Sequence, residues 1–324
     1  VVVLGSINVD LVTNVKTLPS PGSTVFATSF VTENGGKGAN QAVAAARLGA
    51  KVTMIGRVGS DDFGKDLLGN LESELIDTDM ITKDENTGTG VALITVESES
   101  ENTIVVSSGA NMNCGQTELD ALKACISTAN CLVLQNEIPY KVNLEAALIA
   151  RSNDIPVVWD PAPFVANTED LMAEVDFLTP NQNEAELLTK CKIEDEKTIH
   201  EALLKIKHYT NAECLITMGA EGVFFLSGLE LDHMPGLVLN SIDSVAAGDA
   251  FTGGFAVAIS EGKSLRCSAG FGSVSGGRRR RGARRELPSR PGVRDGFRRG
   301  GAVLRGREPG GEFLAFVGLD LVDR

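Results

Sequence analysis

The sequence predicts an α/β fold, a mostly parallel sheet covered by helices on both faces, with a small β-sheet lid outside it. Three observations carry this. Short runs of apolar, β-branched residues alternate with amphipathic helical stretches through residues 1–277, and such alternation gives a parallel sheet between two helix layers. Two β-rich stretches, 11–32 and 87–108, have no helix between adjacent strands, so they read as antiparallel hairpins outside the main sheet. No apolar run approaches the roughly 20 residues of a membrane span.

The elements follow in order. Buried strands are expected at residues 1–5 (VVVLG), 51–56 (KVTMIG), 131–135 (CLVLQ), 155–159 (IPVVW), 175–179 (VDFLT) and 213–219 (ECLITMG), each apolar and β-branched. Helical patterns fall at 39–48, 116–127, 141–151 and 197–208. In the first, Ala39, Ala42, Val43 and Ala46 fall on one face, and Gly49 sits where a C-terminal cap belongs.

The 324 residues are 43% hydrophobic and 23% charged, an ordinary globular composition. The net charge of −13 conceals two regions. Residues 1–277 hold 17 Lys+Arg against 37 Asp+Glu, while residues 278–324 hold 13 Arg against 6 Asp+Glu. So acidic a body excludes a general nucleic-acid binder, since like charge repels phosphate. RRRRGARR (278–285) and the Gly/Arg-rich stretch to about residue 311 lack hydrophobic periodicity and read as coil. The expected organisation is a domain over 1–277 and an aberrant tail over 278–324. The six cysteines lack any C-x-x-C pair, which points to reduced thiols and a cytoplasmic setting. The three histidines, His200, His208 and His233, are too dispersed for a metal site or triad. The chain begins at Val1 within an apparent strand, so a targeting segment is not readable from it.

Four constellations carry chemistry. Asn34-Gly35-Gly36-Lys37-Gly38-Ala39-Asn40 opens the first helix; its glycines admit a ligand close to the backbone, and free N–H groups at a helix start favour oxygen-rich ligands. A plain glycine-rich loop would look the same. The motif is neither a P-loop nor a dinucleotide fingerprint, and no strand directly precedes it. Asp243-Ser244-Val245-Ala246-Ala247-Gly248-Asp249 runs into an apolar helix, where the N–H groups of Ala246, Ala247 and Gly248 would face an anion. Asp249 fits either a cap or an acid–base group, and Asp243 fits either a turn or a cation ligand. Asn8 and Asp10 follow the first strand on one side of an extended segment, placed to bind hydroxyls or to form an Asx turn. Glu137 and Asn181 follow later strands at the same sheet edge. Together these groups point to one cleft.

Read jointly, the chain resembles the ribokinase branch of the PfkB carbohydrate-kinase family over residues 1–277. Both signature segments are present: Gly35-Gly36-Lys37-Gly38-Ala39-Asn40 with its alanine-rich continuation, and the stretch 243–255. Between and around them, in order, come Gly5-Ser6-Ile7-Asn8-Val9-Asp10, Val58-Gly59-Ser60-Asp61-Asp62-Phe63-Gly64, Gly109-Ala110-Asn111, Asp160-Pro161-Ala162-Pro163, Pro180-Asn181 with Glu184-Ala185-Glu186, and Thr217-Met218-Gly219 with Gly222. The Ala246-Ala247-Gly248-Asp249 form and the Asn8/Asp10 pair look like ribokinases rather than adenosine kinases or fructokinases.

The resemblance implies a doubly wound α/β domain with a β-sheet lid, and ATP-dependent phosphorylation of D-ribose at its 5-hydroxyl. Asn8, Asp10, Gly36, Lys37, Gly38, Asn40 and Glu137 would surround the sugar, with Asp249 as catalytic base. Asn181, Thr217, Gly219, Gly222 and Gly248 would line the ATP site, and Glu184 would influence Mg²⁺ and phosphate placement. It also implies activation by a monovalent cation, usually K⁺, held partly by Asp243 and the Val245 carbonyl, and dimers that pair through the lid. The chain departs from the family at Gln182, where relatives often carry Glu. It departs further beyond Phe271, where a small-residue helix, an apolar strand and a Gly-Ala turn would complete the adenine pocket and cation site. Arg278, Arg279, Arg280 and Arg281 stand there instead, and a four-Arg run resists burial. Weakened ATP binding and little K⁺ activation are therefore expected. Alternatives are a kinase for another small sugar or a nucleoside, and a catalytically silent sugar-binding protein.

Overall fold

The computed structural model describes residues 1–97, 102–236, 246–279, 302–308 and 311–317. The chain divides into two compact units, Val1–Gly282 and Ala283–Arg324.

In the first unit, β1 (Val2–Leu4) leads into β2 (Asn8–Val15), β3 (Ser29–Gly35), α1 (Lys37–Arg47), β4 (Thr53–Gly59), α2 (Asp62–Ser73), β5 (Ile81–Asp84), β6 (Gly90–Glu97), β7 (Asn102–Ser107) and α3 (Gln116–Cys125). There follow β8 (Leu132–Gln135), α4 (Tyr140–Arg151), β9 (Val157–Asp160), α5 (Glu169–Met172), β10 (Phe177–Leu178), α6 (Gln182–Thr189), α7 (Glu196–Tyr209), β11 (Glu213–Thr217), β12 (Gly222–Ser227), β13 (Glu230–Pro235), α8 (Ala247–Ser260) and α9 (Leu265–Arg279). All six expected strands and all four expected helices form.

The main sheet runs β13-β12-β11-β10-β9-β8-β1-β4-β5. It is parallel from β11 to β5, and β12 and β13 add an antiparallel edge. Strand residues alternate between the two faces. Val2 and Leu4 pack with Trp159, α3, α4 and α7, whereas Val3 packs with Met54, Phe255, α1 and α8. Helices thus cover both faces, as a parallel sheet requires. From β1 the chain builds outward to β4 and β5, then returns to the other side of β1 to lay down β8 through β11. The crevice beyond the carboxyl ends of β1 and β8 is therefore the topological switch point, where ligands bind open α/β sheets.

The lid is a four-stranded sheet, β3-β2-β6-β7, in which two antiparallel hairpins join through parallel β2 and β6. Phe30, Leu93, Ile104, Val105 and Val106 are exposed on it.

Several expectations are corrected. Asn8 and Asp10 do not merely trail the first strand; they open β2, so the polar pair belongs to the root of the lid. Strand β3 runs to Gly35, so the glycine-rich motif does follow a strand, and α1 starts at Lys37 rather than at residue 39. The coil expected beyond residue 278 is contradicted twice. Helix α9 continues through Arg279, arginine being a good helix former. In the second unit, β14 (Ala302–Glu308) pairs antiparallel with β15 (Gly311–Val317). The strand formers Val303, Leu304, Phe313, Leu314, Phe316 and Val317 were masked by the arginine-rich average around them. Among the described residues, no helix is long and apolar enough to cross a membrane.

Candidate active site

Gly36 joins β3 to α1 at φ 88° and ψ 127°, a conformation that only glycine reaches without strain. A Cβ there would lie 2.7 Å from the Asn8 backbone nitrogen and 2.9 Å from the Ser6 carbonyl. The start of α1 is thus drawn against the segment that leaves β1. Asn8 is buried, and its Oδ1 accepts from Asn111 Nδ2 at 2.7 Å. Asn111, fully buried, also accepts from the Ile7 N–H at 2.9 Å and donates to the Ser108 carbonyl at 3.0 Å. With its oxygen engaged, the Asn8 amide keeps N–H groups to offer. Asp10 lies beside Gly35, where an added Cβ would overlap its carboxylate.

At the switch point, Glu137 follows β8. Its Oε2 accepts from Ser6 Oγ and from the Lys37 N–H, the latter at 3.0 Å, while Gly38 N–H donates to Ser6 Oγ at 3.3 Å. One carboxylate thereby fixes the first turn of α1.

The other wall is α8. Helices α1 and α8 approach closely at Gly253, where a Cβ would sit 2.6 Å from the Gln41 carbonyl. That contact sets the polar edge of α1 against the first turn of α8. Buried Asp249 there accepts from Asn40 Nδ2 at 3.0 Å, Gln41 Nε2 at 3.3 Å and Lys37 Nζ at 3.4 Å. Among the described residues no side chain caps α8, and Ala246 precedes it in the left-handed region at φ 57°. The first intrahelical bond is Ala250 N–H to the Ala246 carbonyl at 3.0 Å, so the N–H groups of Ala247, Gly248 and Asp249 precede it. A Cβ on Gly248 would meet nothing within 4 Å. Asp243 and Val245, the expected cation ligands, lie outside the described residues.

The structure adds residues that sequence reasoning left without a role. Asp160, buried at the end of β9, accepts from Gln41 Nε2 at 2.8 Å and pairs with Lys37 Nζ at 3.5 Å. Gln41 is oriented in turn by Gln135, whose Nε2 donates to Gln41 Oε1 at 2.7 Å. The signal for Asp160 was available, since an acid ending a buried strand occupies the same sheet edge as Glu137. Burial opposes the charge on Lys37, yet Asp160, Asp249, Glu137 and Glu184 together hold its ammonium charged beyond the usual lysine range. Burial pushes the Asp160 and Glu184 carboxyls up, and the negative charge of Asp249 adds to both shifts.

A second group adjoins. Asn181 caps α6 in a reciprocal pair: its Oδ1 accepts from Glu184 N–H at 2.9 Å, and its own N–H donates to Glu184 Oε2 at 2.8 Å. Thr217 bridges to Asn181 and donates its N–H to the Pro180 carbonyl at 2.9 Å. Gly219 (φ 57°) and Gly222 (φ 102°) turn the chain from β11 into β12. Gln182 Nε2 donates to the Ile193 carbonyl at 2.8 Å, so it serves local structure. Among the described residues, no three His, Cys, Asp or Glu side chains are grouped to hold a metal ion.

Comparison with known proteins is consistent with this geometry. The family model described as pfkB family carbohydrate kinase matches residues 1–281. A ribokinase of Haemophilus influenzae is 39% identical over 290 residues, covering 89% of this chain and 95% of its own length. A deoxyribokinase of Salmonella typhi is 35% identical over 79% of this chain and 84% of its own. The structure of Arabidopsis thaliana ribokinase complexed with ribose and ATP superposes with a TM-score of 0.76 at 29% identity, covering 85% of this chain and 90% of that one. By family model, by sequence and by fold, the chain belongs to the pfkB carbohydrate kinases, ATP-dependent enzymes that phosphorylate sugars.

Proposed function

We propose that this chain transfers the γ-phosphoryl group of ATP to the 5-hydroxyl of D-ribose, with Asp249 as general base. One observation carries the reading: a buried carboxylate stands in the first turn of α8, held by three donors from α1. The sugar oxygen attacks the γ-phosphorus as its proton passes to Asp249. A new O–P bond forms, and the bond to the bridging oxygen breaks, leaving its electrons on ADP. Such transfer is mainly positioning and charge stabilisation. The backbone at Ala246, Ala247 and Gly248 serves as the anion hole for charge building on the phosphoryl oxygens.

Asn8 and Asp10 supply a donor and an acceptor for sugar hydroxyls, and Gly36, Lys37, Gly38, Asn40 and Glu137 form the rest of that wall. Asn181, Glu184, Thr217, Gly219, Gly222 and Gly248 line the nucleotide side. Mg²⁺ bound with the ATP phosphates would neutralise charge there, and Glu184 would help to hold it. The carboxylate-rich edge of this site offers hard donors suited to it. A monovalent cation would be held partly by Asp243 and the Val245 carbonyl, which lie outside the described residues, and two copies pair through the apolar residues exposed on the lid.

The test is coupled ADP release with ribose, 2-deoxyribose, fructose and adenosine in turn. Ribose giving the highest kcat/KM supports the reading. The Salmonella typhi relative makes 2-deoxyribose the competing substrate, and a preference for it would transfer the assignment there. Ribose binding without ADP release would instead mark a catalytically silent sugar-binding protein.

A further inference from the structure

A carboxamide can turn over and present its oxygen where its N–H groups had been, so a site that uses Asn8 as a donor needs something to hold it. Asn8 Oδ1 accepts from Asn111 Nδ2 at 2.7 Å. Asn111 is fully buried and cannot itself turn over. Its Oδ1 accepts from the Ile7 N–H at 2.9 Å, and its Nδ2 also donates to the carbonyls of Ser108 at 3.0 Å and Ile7 at 3.2 Å. A backbone N–H only donates and a backbone carbonyl only accepts. Three main-chain groups therefore fix the Asn111 amide, and that amide fixes Asn8. The pair stands against Gly90, the partner of Asn8 at the start of β6. A Cβ at Gly90 would lie 2.1 Å from Asn8 Oδ1 and 2.4 Å from Asn111 Nδ2, so only glycine leaves room for the pair. Among the described residues none accepts from Asn8 Nδ2, the end of this relay that faces a ligand.

We propose that Asn111 is a positioning residue that sets sugar specificity: it passes the polarity of the backbone to Asn8, so that the site presents N–H groups at Asn8 and oxygens at Asp10. The ligand it selects carries an acceptor oxygen opposite Asn8 and a hydroxyl that donates to Asp10. This rests on the reading of Asn8 and Asp10 as sugar-binding groups. Neighbouring hydroxyls of a sugar meet both demands, because each hydroxyl donates once and accepts as well. A free amide would turn to suit whatever group stood before it. A locked one is left unpaired by a sugar that lacks the oxygen, and a site with a fixed, desolvated donor rejects such an analogue far more strongly than an adaptable one.

The experiment is calorimetry of the full chain with D-ribose and, separately, with MgATP, on Asn111→Leu, Asn8→Ala and the double variant. Leucine matches asparagine in heavy atoms but orients nothing. Asn111→Leu should bind ribose roughly 3- to 30-fold more weakly, with MgATP affinity unchanged. In the Asn8→Ala background the same change should add less than about twofold, because no amide is left to orient. Native ribose affinity in Asn111→Leu, or losses that multiply in full in the double variant, overturns the proposal. Native affinity in Asn8→Ala refutes the sugar-site reading of Asn8 instead, so the two failures are distinguishable. Should Asn111→Leu not fold, hydrogen exchange of the side-chain amides in the unaltered chain decides, each pair of protons assigned through its own backbone. The Asn111 pair should exchange slowly with and without ribose, and the Asn8 pair should become slow only with ribose. An Asn111 pair exchanging like an exposed amide overturns the proposal, and an Asn8 pair indifferent to ribose refutes the reading beneath it.

Discussion

Replacing Asp249 by Asn exchanges one carboxylate oxygen for an NH₂ group of nearly the same size, and it removes the proton acceptor. In the native site Oδ1 receives Gln41 and Lys37, and Oδ2 receives Asn40. An asparagine keeps one oxygen for the first pair and sets an NH₂ group against Asn40, so one of three contacts is lost. Asp160 remains to balance Lys37. The folding cost is therefore that of one buried hydrogen bond, about 1–3 kcal/mol, or a Tm lower by roughly 2–10 °C. The catalytic cost is larger. A positioned acid–base group contributes about 10²–10⁴ in rate, or roughly 3–5 kcal/mol of barrier, so kcat should fall by that factor with ribose KM nearly unchanged. Initial rates of ADP release and a thermal melt on the same sample measure both. A folded Asp249→Asn variant with near-native kcat would refute the reasoning and reduce Asp249 to a helix-terminal acid.

Three further substitutions test other parts of the site. Gly36→Ala forces a side chain into a positive-φ position with its Cβ 2.7 Å from backbone; strain and overlap together should cost about 2–5 kcal/mol, and an unchanged melting curve would contradict the described turn. Asp10→Ala should lower ribose affinity roughly 10- to 150-fold while leaving MgATP binding nearly untouched, and calorimetry showing native ribose affinity would remove Asp10 from the site. Asp61 caps α2 through Gly64 N–H at 2.8 Å and accepts from Thr89 N–H and Oγ1 at 2.8 and 2.6 Å; burial alone would raise its carboxyl, but these donors hold it below the usual range. Because a depressed carboxyl stabilises the fold above its unfolded pKa and loses that stabilisation as pH falls, Asp61→Ala should cost about 1–3 kcal/mol near neutrality and progressively less below about pH 4, whereas a pH-independent difference in Tm would contradict the assignment.

Strand–helix alternation was legible because buried parallel strands such as residues 131–135 are continuous apolar runs, and α1 shows its period through alanines. The lid was legible as two hairpins, but not the parallel pairing of β2 with β6, which depends on residues some 80 apart in sequence meeting. The carboxylate cluster was half legible. Glu137 and Asp249 stand out by position, and Asp160 is legible in the same way as an acid ending a buried strand, whereas Gln41 and Gln135 acquire meaning only when α1 and α8 meet at Gly253 and bring their edges together. Asn111 illustrates the same limit: its hydrogen bonds to Ile7 and Asn8 cross more than 100 residues. The hairpin of β14 and β15 escaped notice because average composition over the arginine-rich tail hides local strand signals.

The most direct test of the central claim is ³¹P NMR of the full chain incubated with MgATP and D-ribose. Ribose phosphorylation predicts loss of the ATP γ-phosphorus signal, stoichiometric ADP, and a new phosphomonoester signal coupled to the C5 protons of the sugar. ATP left intact, or converted only to ADP and inorganic phosphate regardless of ribose, would contradict it.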